Sequence, residues 1–350
     1  MDVRLITALR ARASVTTVDS HTAGEPTRVV VNGIDPAINN IPTMVERQAW
    51  FKKHYDYLRT SLMQEPRGHQ AMFGAVLTEP VRPEAAAGVI FIHPSGYADM
   101  CGHGTIGVVT TLIEMGVVQP SGEKTEVLLD TPAGPVKTVA RVEDGRVSSV
   151  DLINVPAYFL ETVEVQLPEL GKIPVHLSYG GNFFGIVEAK RVGLSVKVAD
   201  LERLNSVAHR IMSEINKQMV FSHPLSGQTK LERIRFVDGQ HNENNVVIHE
   251  GGVIDRSPCG TGTCAQMAWE YASGLKRLGV PSSYYSVIKT RFIGKLLKET
   301  EFAGRRAVIP QVTGTAYITG VHDFIMSPDD PLRHGFNLNA IEEAQQGVSN

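Results

Sequence analysis

The chain has few cysteines, and this scarcity excludes several classes of protein. Only three occur in 350 residues, at Cys101, Cys259 and Cys264. An odd and sparse count does not provide the disulfide framework of a small secreted domain. A zinc site could be drawn from Cys101, His103 and Cys259, but their spacing resembles no standard ligand pattern. We therefore expect no metal.

Long apolar runs and an excess of one charge are also missing. No apolar run approaches the roughly 18 residues that a membrane span needs. The 34 basic and 37 acidic residues are dispersed and give a net charge of -3, so nothing indicates a surface for nucleic acid. The first residues lack the apolar segment of a secretory signal. We expect a cytoplasmic protein with neither nucleic-acid nor membrane partners.

What is present fits a globular protein of two domains. The hydrophobic share is 42% and the charged share is 20%, as in ordinary folded chains. A chain of 350 residues can bury two separate cores. We place the domain crossing near Pro156. The first predicted domain spans 1–156 and is completed by the C-terminal segment 320–350, and the second spans 157–319.

The order of predicted elements repeats along the chain. Each half contains strand, strand, helix, strand, strand, a cysteine loop and a further helix, as judged from hydrophobic periodicity and turn residues. Long helices are predicted over 44–62 and 198–219. The helix after the second cysteine loop is expected to continue to about residue 278.

The strongest signal is a duplicated cysteine motif. The segments that start at Cys101 and Cys259 share Cys, Gly, Gly, Thr and a terminal Gly without gaps, and read "CGHGTIGVVTTLIEMG" and "CGTGTCAQMAWEYASG". Upstream, the match continues with an offset of two residues and pairs His93 with His249. We interpret the two segments as an internal duplication.

A cysteine at the start of a helix has particular chemistry. The free N–H groups and partial positive charge there stabilise an anion, so the thiol pKa should fall. Glycines let backbone amides approach a ligand closely. If both loops face one small carboxylate, a thiolate and a thiol on opposite sides could invert its α-carbon, while amides stabilise the developing charge.

Other interpretations of these loops stay open at this point. Residues 102–107 and 260–265 match the glycine fingerprint of dinucleotide sites, so an NAD(P)-dependent oxidoreductase is the main alternative. That fingerprint does not explain a cysteine before each copy, and the acidic residue expected about 20 positions on is ill placed. A non-catalytic amino-acid-binding protein could retain the same cleft. Cys264 fits a small buried hydrophobe, and Phe73 alone fits a core aromatic.

Several motifs together resemble those of the proline racemase family, which includes proline racemase, hydroxyproline 2-epimerase and trans-3-hydroxyproline dehydratase. They lie in order along most of the chain: "VDSHTAGEPTRVV" at 18–30, "DYLRTSLMQEPRGH" at 56–69, "MCGHGTIG" at 100–107, "SYGGNFF" at 178–184 and "IDRSPCGTGT" at 254–263.

The resemblance implies an α/β (α+β) fold of two pseudo-symmetric, diaminopimelate epimerase-like domains. Each would be a curved, mostly antiparallel sheet around a central helix, with the active site in the cleft between them. It also implies a homodimer that needs no cofactor. Cys101 and Cys259 fall on the family's two catalytic cysteines. The substrate-binding positions of the family fall on Gly102, His103, Asp255, Gly260 and Thr261.

The resemblance further implies inversion of the α-carbon of a small imino acid, proline first and 4-hydroxyproline as the alternative. Phe73 matches an aromatic pocket position of proline racemases. His249 replaces a phenylalanine of those enzymes and could bind a ring hydroxyl, whereas Leu231 falls roughly where hydroxyproline epimerases carry histidine. Cys259 disfavours the dehydratase, which has threonine there.

Overall fold

The computed structural model describes residues 14–222 and 228–338. Within these ranges, strands β1 to β17 span Val15–Thr22, Glu25–Asn32, Gly74–Thr78, Ala87–His93, Gly96–Ala98, Lys124–Thr131, Gly134–Glu143, Arg146–Ile153, Tyr158–Leu167, Gly171–Tyr179, Phe183–Glu188, Arg233–Asp238, Asn244–His249, Ser282–Tyr285, Arg291–Phe302, Arg305–Gly314 and Ala316–Phe324. Helices α1 to α4 span Met44–Met63, Gly102–Glu114, Leu201–Gln218 and Gly260–Ala272. Short 3-10 turns span Pro36–Asn40, Ala189–Val192 and Val198–Asp200.

Strand pairing repeats one topology twice. In the first half the strands pair in the order β1, β2, β3, β4, β6, β7 and β8, with parallel pairs at β2/β3 and β4/β6. In the second half the order is β10 to β16, with parallel pairs at the corresponding places, β11/β12 and β13/β14. All other pairs are antiparallel, and β8 joins the halves through β16. The mixed, mostly antiparallel architecture agrees with the predicted fold class.

The outer strand of each half comes from a different part of the chain. β17 lies antiparallel to β1, with Val15 opposite Phe324, so the C-terminal strand returns to the first half. β9 occupies the corresponding place beside β10. The domain boundary at residue 156 stays a prediction, and residues 339–350 of the segment assigned to the first domain lie outside the described residues.

The two helices that follow the cysteine loops are the centres of the two halves. α2 packs on β1, β2, β8 and β17, and α4 packs on β9, β10, β15 and β16. Residues Gly102 to Ile113 of α2 are all buried, and so are residues Gly260 to Glu270 of α4. A helix that is buried on every face is typical of a core position, so both helices begin in the interior of the protein.

The predicted helix bounds are close to the observed ones, with one exception. The second cysteine helix ends at Ala272, not near residue 278. Gly274 takes a left-handed φ of 74°, and the Leu275 amide donates to the Glu270 carbonyl at 2.7 Å, a closure that ends a helix. None of the helices in the described ranges is both long and apolar enough to cross a membrane.

Candidate active site

Each of the two loop cysteines caps the N-terminus of a central helix. The Cys101 Sγ accepts the Gly104 amide at 3.5 Å, and the Cys259 Sγ accepts the Gly262 amide at 3.4 Å. Both cysteines line one cavity of about 270 Å³ between the halves. The structure therefore brings the duplicated motifs together at one site.

Glycine allows the two loops to touch through their backbones. A Cβ on Gly102 would lie 3.1 Å from the Gly260 Cα, and a Cβ on Gly260 would lie 3.0 Å from the Gly102 Cα. Both distances are shorter than nearly all real Cβ contacts. The close contact between the loops is therefore enough to explain why these positions are glycine, and a dinucleotide site is not needed to explain them.

All predicted site residues line this cavity: Phe73, Cys101, Gly102, His103, His249, Asp255, Cys259, Gly260 and Thr261. Two other residues that the sequence singled out do not. Leu231 and Cys264 are fully buried in apolar clusters, which agrees with the interpretation of Cys264 as a small hydrophobe.

The cavity is also lined by polar side chains that the sequence analysis did not assign to the site, among them Glu25, His93, Asn182 and Arg233. His93 had a usable signal, because the duplication pairs it with His249. Glu25 lies in the quoted motif "SHTAGEPTR", where a carboxylate between glycine and proline gave no reason to expect burial.

Two carboxyl groups meet at the base of the cavity. The Asp255 Oδ1 accepts both the amide and the hydroxyl of Ser257 at 2.8 Å, and the Ser257 Oγ accepts the Cys259 amide at 3.0 Å. The Glu25 Oε2 accepts the Arg256 amide at 2.7 Å. Burial, followed by the neighbouring Asp255 charge, raises the pKa of Glu25 well above its usual value. The pair can thus hold a proton and still carry negative charge.

The predicted fall in thiol pKa is wrong for this structure. Burial raises the pKa of Cys101 above the usual thiol range, and burial with the Asp255 charge raises the pKa of Cys259 to about 12. Each sulfur accepts one long amide hydrogen bond, and that stabilises a thiolate less than the loss of water destabilises it. The helix N-terminus moderates the rise without reversing it.

Histidines and an aromatic ring form another part of the wall. The Cys101 Sγ lies 3.2 Å from His103 Nδ1, and the Phe73 ring contacts the His103 ring edge-on, with centroids 4.6 Å apart. Burial lowers the pKa of His93 to about 4, and burial with the Arg233 charge lowers that of His249 to about 3. Both imidazoles are therefore neutral near pH 7 and can donate or accept a hydrogen bond.

Comparison with known proteins agrees with this fold. A family model described as proline racemase matches residues 17–337. A PhzF-family protein from Bacillus anthracis shares the fold at 15% identity, with a TM-score of 0.57 and coverage of 89% of this chain and 98% of that chain. A hydroxyproline epimerase from Agrobacterium vitis, solved with bound trans-4-hydroxy-L-proline, is 30% identical, with a TM-score of 0.84 and coverage of 93% and 96%.

Three curated relatives are more similar in sequence. Proline racemase of Clostridioides difficile is 42% identical, over 93% of this chain and 98% of that protein. The 4-hydroxyproline 2-epimerase of Streptosporangium roseum is also 42% identical, over 94% and 100%. Trans-3-hydroxy-L-proline dehydratase of Bacillus cereus is 38% identical, over 92% and 98%.

The repeated topology, with helices that begin at the cleft between two halves, places the chain in the class with the PhzF and diaminopimelate epimerase-like fold. Within that class the chain belongs to the proline racemase family. It is an isomerase with racemase or epimerase activity.

Proposed function

We propose that this isomerase inverts the α-carbon of a small imino acid, proline in the first instance, with Cys101 and Cys259 as its two acid–base groups. One observation carries the proposal. Both sulfurs line a single cavity, and each caps a central helix from a different half of the molecule. This placement lets them approach one carbon from two sides.

The reaction needs one thiolate and one thiol. The thiolate removes the α-proton and becomes a thiol, and the electron pair left on carbon is delocalised into the substrate carboxylate. The opposite thiol then donates its proton to the other face of the carbon and becomes a thiolate. The enzyme ends with its proton on the other sulfur, so no redox partner is needed. General acid–base groups of this kind contribute about 10²–10⁴-fold each.

The substrate's two charges have matching partners in the cavity. The paired helix N-termini, which meet at Gly102 and Gly260, offer backbone amides to the carboxylate, and these donors also stabilise the charge that develops on its oxygens. Asp255 and Glu25 offer negative charge to the ring ammonium. The bound ammonium in turn favours ionisation of a nearby thiol, which offsets part of the burial cost described above.

4-Hydroxyproline is the second candidate substrate, and a specific observation favours it. His93, His249 and Arg233 lie together on the wall of the cavity. The two neutral imidazoles can bind a ring hydroxyl, whereas unsubstituted proline would leave them without that partner. Phe73 on the same wall suits the apolar ring carbons of either substrate. The presence of Cys259 disfavours the dehydratase, because inversion needs a proton donor on each face.

The test is incubation with L-proline and with trans-4-hydroxy-L-proline in deuterated water, followed by α-deuterium incorporation and optical rotation. The proposal predicts exchange and inversion with at least one of them, and the faster one is the preferred substrate. Failure of both to exchange their α-proton would contradict the proposal. The homodimer and the cytoplasmic location stay predictions from the family resemblance and the sequence.

A further inference from the structure

Arg235 is a fully buried cation directly beneath the second cysteine loop. Its guanidinium makes three hydrogen bonds, all to neutral acceptors: the Gln266 Oε1 at 2.7 Å, the Pro258 carbonyl at 2.6 Å and the Thr263 Oγ1 at 3.3 Å. A buried charge is costly unless an opposite charge lies close by. On this loop, Asp255 and the Cys259 sulfur can both carry negative charge, and the Cys259 sulfur has the stronger electrostatic interaction with the guanidinium.

The geometry of Gly262 places the two groups together. A Cβ on Gly262 would lie 3.0 Å from the Arg235 Nη1 and 3.2 Å from the Cys259 Sγ. Both atoms therefore lie on the same side of Gly262, no more than about 6 Å apart, a distance at which an opposite charge favours the ionised form. The bond from Arg235 to the Pro258 carbonyl also fixes the residue that precedes Cys259.

In the described part of the first half, the equivalent strand position carries no cation. Arg235 lies opposite Val247 in the β12/β13 pair, and Ala75 lies opposite Phe91 in the β3/β4 pair. The two-residue offset that pairs His93 with His249 makes these positions equivalent. Ala75 is fully buried and uncharged, so this strand position supplies a guanidinium behind Cys259 and none behind Cys101.

We propose that Arg235 is a positioning residue that makes Cys259, rather than Cys101, the sulfur that carries the negative charge whenever one of the two is ionised. Its consequence for turnover rests on the proposed two-thiol chemistry: Cys259 is the base for the enantiomer whose α-proton faces it. For the opposite enantiomer, the proton must first move from Cys101 to Cys259. The charge asymmetry itself is a property of the free protein and is testable without activity.

Other titratable groups around this pair do not provide the same bias. Asp255 opposes ionisation of Cys259, and Cys101 and Cys264 are thiols whose pKa burial raises. Glu270 accepts hydrogen bonds from Gln266 at 2.6 Å and from the Tyr284 hydroxyl at 2.8 Å. Burial raises the pKa of Glu270 and of Tyr284, which favours their neutral forms. Arg235 thus remains the cation that faces Cys259.

The test measures alkylation of each cysteine separately, by iodoacetamide and peptide mass spectrometry from pH 7 to pH 10. Cys101 in the same sample is the internal reference, and fully buried Cys264 reports unfolding if it becomes labelled. We expect Arg235→Met to lower the alkylation rate of Cys259 relative to that of Cys101 by about tenfold or more at pH 8. This factor corresponds to a rise of one unit in the pKa of Cys259. Arg235→Lys should restore most of the rate, because it keeps the charge.

Glu270→Gln is the matched control, since it alters the same buried network without removing the cation, and it should leave the relative Cys259 rate within about threefold. Equal slowing by Glu270→Gln and Arg235→Met, or no slowing by Arg235→Met with Cys264 unlabelled, would overturn the proposal. If the Arg235→Met variant unfolds, the alkylation rates of the native protein test the proposal instead. Its buried Cys259 must be alkylated faster than the more exposed Cys101 at pH 8, and the reverse order overturns the proposal. None of these results depends on whether imino acids are inverted.

Discussion

The loops before α2 and α4 align residue for residue, yet they hold their cysteines in different backbone conformations. Cys101 is extended, with φ of −145°, whereas Cys259 has φ of 61°, in the left-handed region. Their surroundings differ as well. A Cβ on Gly104 would meet the rings of Phe91 and Phe73, whereas a Cβ on the equivalent Gly262 would meet the Arg235 guanidinium.

The difference teaches that a shared motif fixes the contacts within each loop but not the environment of its sulfur. Both loops provide a cap, one amide hydrogen bond to sulfur and a glycine that lets the other loop approach. The residues beneath the two loops then differ, with aromatic rings under Gly104 and a guanidinium under Gly262. Two equivalent residues can in this way have unequal acidity, which suits a reaction that needs one thiolate and one thiol.

The largest expected effect comes from removing either sulfur. Cys101→Ser and Cys259→Ser should each lower kcat for inversion by about 10³-fold or more, because a serine hydroxyl is a far weaker acid than a thiol and hardly ionises, so one face of the carbon loses its acid–base group. The measurement is polarimetry with the preferred substrate. Cys264→Ala is the control and should keep most of the native activity. Inversion at more than a tenth of the native rate in either serine variant would show that this sulfur is not required, and that the two loops are not equivalent in catalysis.

The next effect concerns the contact between the loops. Gly102→Ala and Gly260→Ala should each cost about 1–3 kcal/mol, because the added methyl meets backbone that cannot turn aside. Thermal unfolding gives the change in stability. Gly96→Ala is the matched control, since a Cβ there would meet only a ring atom of His93 at 3.9 Å. Two loop variants as stable as Gly96→Ala would mean that the halves do not pack here as described.

The equivalent histidines of the two halves should make the stability of the protein fall at acidic pH. His93 and His249 have depressed folded pKa values of about 4 and about 3, below the usual 6.5. Their contribution to folding is therefore complete above about pH 6.5 and is lost as the pH falls towards those folded values. His249→Gln should reduce the fall in stability between pH 6.5 and pH 4.5 by about 2 kcal/mol.

Chemical denaturation of the native protein and the His249→Gln variant at the two pH values gives this difference. His93→Gln is the companion variant from the other half and should have the same sign. A slope of stability against pH that neither substitution changes would show that both imidazoles titrate normally in the folded protein.

The smallest effect tests the backbone difference directly. Cys259→Gly should be more stable than Cys259→Ala by about 1 kcal/mol, because a left-handed φ costs a residue with a Cβ roughly that amount. At the extended Cys101 the order should reverse, with Cys101→Ala more stable than Cys101→Gly. Thermal unfolding of the four variants measures both differences, and the same order at both positions would contradict the structural contrast.

Much of the fold could be predicted from the sequence because its signals are local. The apolar periodicity of α1 and the glycine loops before α2 and α4 placed these elements within a residue or two at most bounds. The C-terminal end of α4 was misplaced because apolar residues continue past Gly274, where a left-handed glycine ends the helix. The pairing of β17 with β1 joins distant parts of the chain, so periodicity alone does not specify it.

Only those residues of the candidate site that belong to recognisable motifs could be predicted from the sequence. Both cysteines and their glycines were identified because the duplication marks them. Glu25 and Arg235 were missed because their importance comes from burial and from strand pairing, which place them beside Asp255 and Cys259. The sign of the thiol pKa shift was missed for the same reason. The helix N-terminus is visible in the sequence, but the desolvation that outweighs it depends on tertiary packing.

The central claim is that two sulfurs act on opposite faces of one carbon. Its most direct test is to measure, early in a reaction in deuterated water, whether deuterium is in the product or in the substrate. At low conversion of a single enantiomer, mass spectrometry after chiral separation measures deuterium in the product and in the remaining substrate. The account predicts deuterium at the α-carbon of the product and almost none in the substrate, because the removed proton and the delivered deuteron belong to different sulfurs. Deuterium appearing equally in both would indicate one base serving both faces and would contradict the account.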